Sequence, residues 1–198
     1  TASKTESVSN KIKPTSENAD IAVINDFDSE GAEPVWRSET KASYTTLAIS
    51  ENTASEEGSS LSMPYKCKAE TIYFQYISVD ASVNANGFTF LMKGDEYNSN
   101  LVLVFYLKYN GNEFKYQTAI NGISSEWTEY SVGFDQFTQT KGDPKTMTSD
   151  LVKNITKVVL NYKNYSVDDY YISTMLLDEI KLDGTITLDT NTKTPYEG

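Results

Sequence analysis

The sequence predicts an all-β fold, either a sandwich or a barrel. Apolar residues recur with a period of two rather than 3.6, which is typical of strands with one buried face. About ten short apolar runs follow one another at roughly 8–12-residue spacing, with turn residues between them. No long amphipathic helical pattern competes with this periodicity.

The strand pattern begins and ends with two similar runs, 21–28 and 175–182, in which apolar and acidic residues alternate. We expect these two end strands to meet and close the domain. Glu51–Ser60 is a polar loop in the first half of the chain. The strands predicted before residue 95 are Ile21–Phe27, Val35–Glu39, Tyr44–Ser50, Leu61–Lys66, Ile72–Val79 and Phe88–Lys93.

The second half continues the pattern. Asn110-Gly111 is a tight-turn signal that predicts a hairpin between its two flanking strands. Phe137–Asp150 is predicted to be a loop, and Thr148–Asn154 a short helical turn. The strands predicted here are Leu101–Tyr109, Glu113–Ile120, Trp127–Phe134, Val158–Tyr162 and Tyr171–Leu182.

Residues 1–20 and 185–198 are predicted linkers around a domain at 21–184. They are rich in Ser, Thr, Lys and Glu and offer few large apolar side chains to offset the entropy of ordering. Linkers at both ends lead us to expect a monomeric module tethered to other domains of a secreted or cell-surface protein.

Composition excludes several functions. A formal net charge of −11 argues against nucleic-acid binding, which needs clustered cations. The absence of histidine removes Ser-His-Asp triads and His-ligated zinc, and the single cysteine, Cys67, removes an internal disulfide. No apolar run approaches the ~18 residues of a membrane span, so no membrane insertion is expected.

Alternation assigns faces to two central strands. In Leu101–Tyr109, the set that starts at Leu101 and includes Phe105 is the more apolar and predicts the core face. Tyr106 and Lys108 then face the other way. In the next long run, Val158, Leu160 and Tyr162 predict the core face, which leaves Asn161, Lys163 and Tyr165 on the opposite side.

Several segments resemble, in the right order, the jelly-roll carbohydrate-binding modules with the galactose-binding-like fold, and the β-glucan-binding families eleven and thirty in particular. In these modules a Trp usually lies in or near the segment that corresponds to 87–105, but this chain has none there. The segments are VINDFD (23–28), GSSLSMPY (58–65), GFTFLMKGDEYNSNLVLVF (87–105), WTEYSVGFDQF (127–137) and LLDEIKL (176–182).

This resemblance implies a jelly-roll β-sandwich of two antiparallel sheets. It also implies a non-catalytic function, namely binding an internal segment of a polysaccharide, a β-glucan or other plant glycan, and targeting an appended glycoside hydrolase to it. The alternative is a structural or adhesive β-sandwich module of a bacterial surface protein, without a glycan role.

The resemblance also implies a structural Ca²⁺ where the terminal strands meet. Asp28 and Asp178 fall on the matching motif positions, Asp26 lies beside them, and a turn near Gly58 could add carbonyl oxygens. Carboxylate and carbonyl oxygens are the ligands that Ca²⁺ prefers. The alternative is that these acids are solvated residues at strand ends.

Aromatic side chains are the candidates for glycan binding, because sugars stack their C–H faces on rings and hydrogen-bond to planar polar groups. Tyr65 is placed in the site by the resemblance, and Tyr106, Asn161 and Tyr165 by alternation. For each tyrosine the alternative is ordinary strand packing. The predicted ligand-binding residues are Trp36, Tyr65, Tyr106, Lys108, Tyr116, Gln117, Asn161 and Tyr165.

Catalysis is not expected. Glycoside hydrolysis needs two carboxyl groups facing the same bond. The adjacent acidic pairs of this chain would point to opposite faces of a strand, or into solvent from a loop. These pairs are Glu56-Glu57, Asp168-Asp169 and Asp178-Glu179.

Overall fold

The structure is a computed structural model that describes residues 11–15, 18–28, 35–55, 57–97, 99–165, 167–187 and 191–197. Within these ranges the chain forms strands and two short 3₁₀ turns, at Phe134–Gln136 and Ser149–Asn154. None of the helical segments in this part of the chain is long and apolar enough to cross a membrane.

The strands are numbered in chain order. They are β1 Lys11–Ile12, β2 Ile21–Asn25, β3 Arg37–Ser38, β4 Ala48–Ser50, β5 Ser60–Lys66, β6 Thr71–Tyr76, β7 Ser78–Val79, β8 Gly87–Lys93, β9 Asn100–Tyr109, β10 Asn112–Ile120, β11 Thr128–Gly133, β12 Thr138–Lys141, β13 Ile155–Lys163, β14 Ile172–Asp183 and β15 Asn191–Pro195.

Two antiparallel sheets form the sandwich. Sheet I has the strand order β12-β10-β9-β13-β6-β3. Sheet II has the order β15-β11-β8-β14-β5-β4, with β2 paired to β14. The two end strands of the sequence are therefore neighbours, as predicted. The all-β jelly-roll fold class is confirmed.

The core lies between the sheets, on the faces that alternation predicts. Leu101, Leu103, Phe105 and Leu107 of β9 are fully buried. Their neighbours on β13 follow the same rule, since Val158, Leu160 and Tyr162 are also buried. A cluster of ring contacts extends this core toward the first 3₁₀ turn, and its members are Phe88, Phe105, Phe134 and Phe137.

The folded part extends into both predicted linkers. β1 pairs with β7, and Ile12 is buried in the core. β15 pairs with β11 along five residues. The buried side chain of Ile12 fixes the first segment, and pairing with the edge of β11 fixes the second. Composition predicts linkers for both segments because neither is rich in large apolar residues. Residues 1–10, 16–17, 188–190 and 198 of the predicted linkers lie outside the described residues.

The predicted loop at 137–150 contains an unexpected strand, β12, which forms one edge of sheet I. Its residues are polar and largely exposed, so they show no apolar alternation from which a strand could be read. The strands predicted at 35–39 and 44–50 shorten to β3 and β4, and the helical turn predicted near residue 150 is present as 3₁₀.

Candidate functional site

The outer face of sheet I is the side turned away from the core, and cross-strand pairing arranges its side chains in rows. In the first row, Lys157 of β13 lies opposite Tyr76 of β6 on one side and opposite Tyr106 of β9 on the other. Lys115 of β10 continues this row beyond Tyr106, and Lys141 of β12 ends it. Side chains paired in this way lie within about 5.5 Å at their Cβ atoms, so each row is a continuous surface.

A second row runs parallel to the first. Phe74 of β6 lies between Arg37 of β3 and Val159 of β13. Beyond Val159 the row continues through Val104 to Gln117. The two rows together place aromatic, aliphatic and cationic groups side by side across the six strands of sheet I.

Tyr106 lies at the centre of the first row, between two ammonium groups. The Nζ of Lys157 is 4.2 Å from the centroid of the Tyr106 ring, and the Nζ of Lys115 is 5.8 Å from it. A cation over the face of an aromatic ring is attracted by the ring quadrupole. Glu39 also holds Lys157, at 3.4 Å, and the lysine side chain is 17% exposed.

Tyr76 is the most accessible ring of this face. It is 57% exposed, and its ring packs edge-on against Phe74 with centroids 5.1 Å apart. Lys157 lies 5.5 Å from the Phe74 centroid and 5.8 Å from that of Tyr76. Three rings thus surround one lysine, and the tyrosine at the margin stays open to solvent.

Two further ion pairs lie on the same face. Lys163 contacts Glu70 at 2.8 Å, and Lys141 contacts Glu113 at 2.6 Å. The hydrogen bond from each lysine lowers the pKa of its partner glutamate. Both pairs are exposed, so each adds at most about 1 kcal/mol to stability.

Four predicted ligand-binding residues lie together on this outer face. Tyr106 and Lys108 share one side of β9, Gln117 is in the second row, and Asn161 is opposite Val102 of β9. The Oδ1 of Asn161 is buried and has no hydrogen-bond partner among the described residues. Lys108 is exposed, whereas the other three side chains are half-buried.

Tyr165 lies just beyond the end of β13 and is 59% exposed. The strand stops at Lys163, so alternation no longer fixes the direction of the tyrosine. Tyr165 is accessible to a ligand at the margin of the face, but it is not part of either row.

Three predicted ligand-binding residues are buried instead. Tyr65 of β5 is fully buried, with its hydroxyl bonded to Asp95 and Ser99. Tyr116 stacks on Phe105 at 5.2 Å and is 2% exposed. Trp36 also has its ring in the core. These rings point between the sheets, so they offer no surface to a sugar, and their prediction as ligand contacts is wrong.

Sequence reasoning missed five residues that belong to this face. Alternation could have found the two aromatic ones, because Ile72, Phe74 and Tyr76 share one side of β6. No local signal places the cations, since their neighbours come from distant strands. The missed residues are Arg37, Phe74, Tyr76, Lys115 and Lys157.

The predicted calcium ligands lie on the opposite side of the molecule, against the outer face of sheet II. An Oδ1 atom of Asp28 accepts the Ser59 N–H at 2.7 Å, and Gly58 packs so closely that a Cβ there would lie 2.6 Å from the same oxygen. Gly58 has φ +117, which also favours glycine. Within residues 26–28, the Asp28 N–H donates a hydrogen bond to Oδ1 of Asp26, at 3.2 Å.

Asp178 of β14 approaches this turn from the sheet. Its carboxylate accepts the Thr53 hydroxyl at 3.0 Å and the Glu179 N–H at 2.8 Å. The pKa of Asp178 is raised to about 6, mainly by burial and in smaller part by the charges of Glu179 and Asp28, while the hydrogen bonds from Thr53 and the Glu179 N–H oppose the rise.

Two carboxylates within electrostatic reach of each other, beside the oxygens of loop 51–59, are a donor set that suits a hard cation. No cluster of three or more His, Cys, Asp or Glu side chains arranged for a metal occurs in the described ranges. Backbone and hydroxyl oxygens would therefore have to complete the coordination.

The comparisons with known proteins concern the fold. No protein-family model matches the chain, and no curated protein matches its sequence. Solved structures do match. A family 11 carbohydrate-binding module from Clostridium thermocellum, in complex with a β-1,3-1,4-mixed-linked tetrasaccharide, is similar with a TM-score of 0.60 and 17% identity, over 84% of this chain and 96% of the module.

Two further structures show the same likeness. A family 30 carbohydrate-binding module matches with a TM-score of 0.52 and 16% identity, over 74% of this chain and 87% of the module. An agarase matches with a TM-score of 0.54 and 12% identity, over 85% of this chain but 25% of the agarase. The chain therefore has the jelly-roll fold of the family 11 and family 30 carbohydrate-binding modules, as its motifs predicted.

Proposed function

We propose that the chain is a non-catalytic carbohydrate-binding module that holds an internal segment of a polysaccharide on the outer face of sheet I. The observation that carries this proposal is the pair of parallel rows across the sheet, with Tyr76 exposed at one margin and Tyr106 at the centre. Rows that cross several strands suit an extended chain better than a single sugar.

The side chains of these rows have the chemistry that sugars need. Tyr76 offers an exposed ring for stacking, and the half-buried amide of Gln117 offers hydrogen bonds to hydroxyl groups. The family 11 neighbour was solved with a tetrasaccharide bound, which supports a glycan as the ligand class.

In this proposal the module is monomeric, extracellular and tethered to a glycoside hydrolase that it targets to its polysaccharide. The agarase supports the arrangement, because the matching part is 25% of a longer enzyme. We also propose that Asp28 and Asp178 bind a structural Ca²⁺ that neutralises their charges and fixes loop 51–59. The ion would lie against sheet II, away from the proposed glycan site.

Affinity electrophoresis against soluble β-glucans, mannans, xylans, galactans and acidic polysaccharides tests the proposal. We expect at least one polysaccharide to retard the wild-type protein, and Tyr76→Ala to weaken that retardation about tenfold, as expected for an exposed stacking ring. Tyr170→Ala is the matched control, since Tyr170 is 68% exposed but lies outside the face.

Two outcomes would contradict the proposal. No retardation by any polysaccharide would favour the structural or adhesive alternative. Equal loss of binding in Tyr76→Ala and Tyr170→Ala would move the glycan away from sheet I. The thermal melting curves of both variants show whether they are folded.

A further inference from the structure

The charge of the protein is distributed unevenly. The chain carries a formal net charge of −11, with 28 acidic and 17 basic residues. On the outer face of sheet I, cationic side chains outnumber acidic ones. Among the described residues, six cations and three acids lie there. The cations are Arg37, Lys108, Lys115, Lys141, Lys157 and Lys163, and the acids are Glu39, Glu70 and Glu113.

The three acids do not neutralise this face. Each one pairs with a single lysine, at distances between 2.6 and 3.4 Å. Arg37, Lys108 and Lys115 form no ion pair with any residue in the described ranges. Three positive charges are therefore in excess on this face, with Arg37 and Lys115 in the two rows that carry the aromatic rings and Lys108 beside them.

The contacts of Tyr106 point to the kind of ligand. Lys157 and Lys115 flank its ring at 4.2 and 5.8 Å, so ammonium groups already interact with the ring on which a neutral sugar would stack. Lys115 has no carboxylate partner of its own within the described part of the chain. An acidic group on a ligand could pair with Lys115 and lie beside Lys157 without displacing either lysine from the ring.

The exposed ring of Tyr76 completes the arrangement. It lies in the same row as Tyr106, on the far side of Lys157. A pyranose ring can stack there while a charged substituent of a neighbouring residue contacts the lysines. Charge-assisted hydrogen bonds to carboxylate or sulfate are roughly twice as strong as those between neutral groups.

We infer that the outer face of sheet I selects acidic polysaccharides, whose carboxylate or sulfate groups pair with Lys115 and Arg37 while a sugar ring stacks on Tyr76. This inference rests on the proposed function, since it names the class of glycan that the same face binds. Nucleic acid is the other common polyanion. The strongly negative remainder of the molecule repels a long duplex, whereas a single glycan chain in the two rows contacts the basic face alone.

The experiment compares a charged polymer with its uncharged counterpart. Retardation and binding isotherms are measured for polygalacturonate, for the same polymer after carboxyl reduction, for a sulfated galactan and its desulfated form, and for a neutral mixed-linkage β-glucan. We expect at least one charged polymer to bind about tenfold more tightly than its neutral form. Raising the salt concentration from 0.05 to 0.5 M should weaken that binding, because exposed charges are screened.

Lys115→Gln is the main variant, because Lys115 has no ion pair to lose among the described residues. It should weaken binding of the charged polymer about fivefold and weaken binding of the neutral form by a smaller factor. Lys66→Gln is the matched control, since Lys66 lies on sheet II and its side chain contacts the Tyr170 ring, at 5.5 Å. Arg37→Gln provides a second variant in the other row, should Lys115→Gln fail to fold.

The outcomes separate this inference from the proposed function. Equal binding of charged and reduced polymers, or of a neutral β-glucan alone, would overturn the inference and leave the proposed function standing. Binding of no polysaccharide at all would overturn both. Binding of single-stranded DNA as tightly as the best glycan would overturn the inference, because the face would then recognise charge rather than an acidic sugar.

Discussion

The two outer faces of the sandwich arise from the same alternation, but they differ in charge and in what covers them. On sheet I, two open rows carry rings and an excess of cations. On sheet II, the corresponding side carries both signs without an excess of cations: Glu129, Asp178 and Asp183 lie there with Lys66, Lys93 and Lys181. Loop 51–59 contacts Asp178 through Thr53. A polar pocket of about 420 Å³ opens beside Glu129 and Lys181 on that side.

The difference shows that the net charge of this small protein does not predict the charge of either outer face. A net charge of −11 argues against a nucleic-acid interface, yet it conceals a face on which cations outnumber acids. The acidic side chains of the two sheets also differ in their surroundings. The glutamates of sheet I each have a lysine partner, whereas Asp178 is buried beside other acids.

The largest expected effect on glycan binding comes from removing the central ring of sheet I. Tyr106→Ala deletes the ring that Lys157 and Lys115 flank, so both lysines lose their orientation. We expect affinity for the best glycan to fall by about 2 kcal/mol, the size of a binding hot spot. Isothermal titration calorimetry measures it.

Ile172→Ala is the control on sheet II, where Ile172 is 56% exposed. It should leave binding unchanged. A Tyr106→Ala protein that melts far below the wild type and yet binds normally when folded would assign Tyr106 to the core.

A calcium titration tests the proposed Ca²⁺ site beside sheet II. Ca²⁺ at about a hundred times its dissociation constant should stabilise the wild type by roughly 2.7 kcal/mol, because the folded state alone binds it. Asp178→Asn should abolish this response in thermal melts with and without chelator.

Asp26→Asn sharpens the assignment, since asparagine can still cap the turn at Asp28. A normal calcium response in Asp26→Asn leaves Asp28 and Asp178 as the ligands. An identical melting curve in calcium and in chelator would refute the metal site.

The pH dependence of the calcium-free protein follows from the same carboxyl group. Its pKa is about 6 in the folded chain, above the ordinary value of 3.8 for an aspartate side chain, so folding takes up a proton between these pH values. The free energy of unfolding should therefore fall as pH rises from about 4 to 6, by roughly 1–2 kcal/mol. Urea titrations in chelator measure this slope.

Asp178→Asn should flatten the slope and stabilise the calcium-free protein above pH 6. A variant less stable than the wild type at pH 7.5 in chelator would show that the carboxylate is satisfied by its neighbours rather than destabilised by burial.

The smallest expected effect comes from an exposed pair on sheet I. Glu113→Gln removes the partner of Lys141, and stability should change by no more than about 0.5 kcal/mol, as is usual for a solvated ion pair. Affinity for an acidic polysaccharide should rise slightly, because the face loses a negative charge and Lys141 loses its carboxylate partner. Glu129→Gln, on sheet II, should change neither stability nor affinity. If Glu129→Gln raised the affinity more than Glu113→Gln, the gain would come from long-range charge rather than from the two rows.

The sequence by itself determined the strands and the direction of many side chains. Alternation assigned Leu103 and Phe105 to the core and Tyr106 to the outside, because a pleated strand turns successive side chains to opposite faces. The turn between β9 and β10 was equally local, since Asn110 and Gly111 adopt φ values of 48 and 78 that few other residues tolerate.

Tyr65 shows how a resemblance can mislead where alternation does not. It shares a side of β5 with Leu61 and Met63, which are both fully buried. The motif position favoured a ligand contact, but the period-two pattern of the same strand indicates the core. Local periodicity was the better guide for this residue.

Only the tertiary structure decided which residues share the functional face. Lys157 meets Tyr106 because β13 lies between β9 and β6, and because its register shifts between Ile155 and Lys157. Alternation is a property of one strand, whereas strand order and register depend on long-range packing and on loop geometry. For that reason the sequence supplied the cations and the rings separately, and the fold alone brought them together.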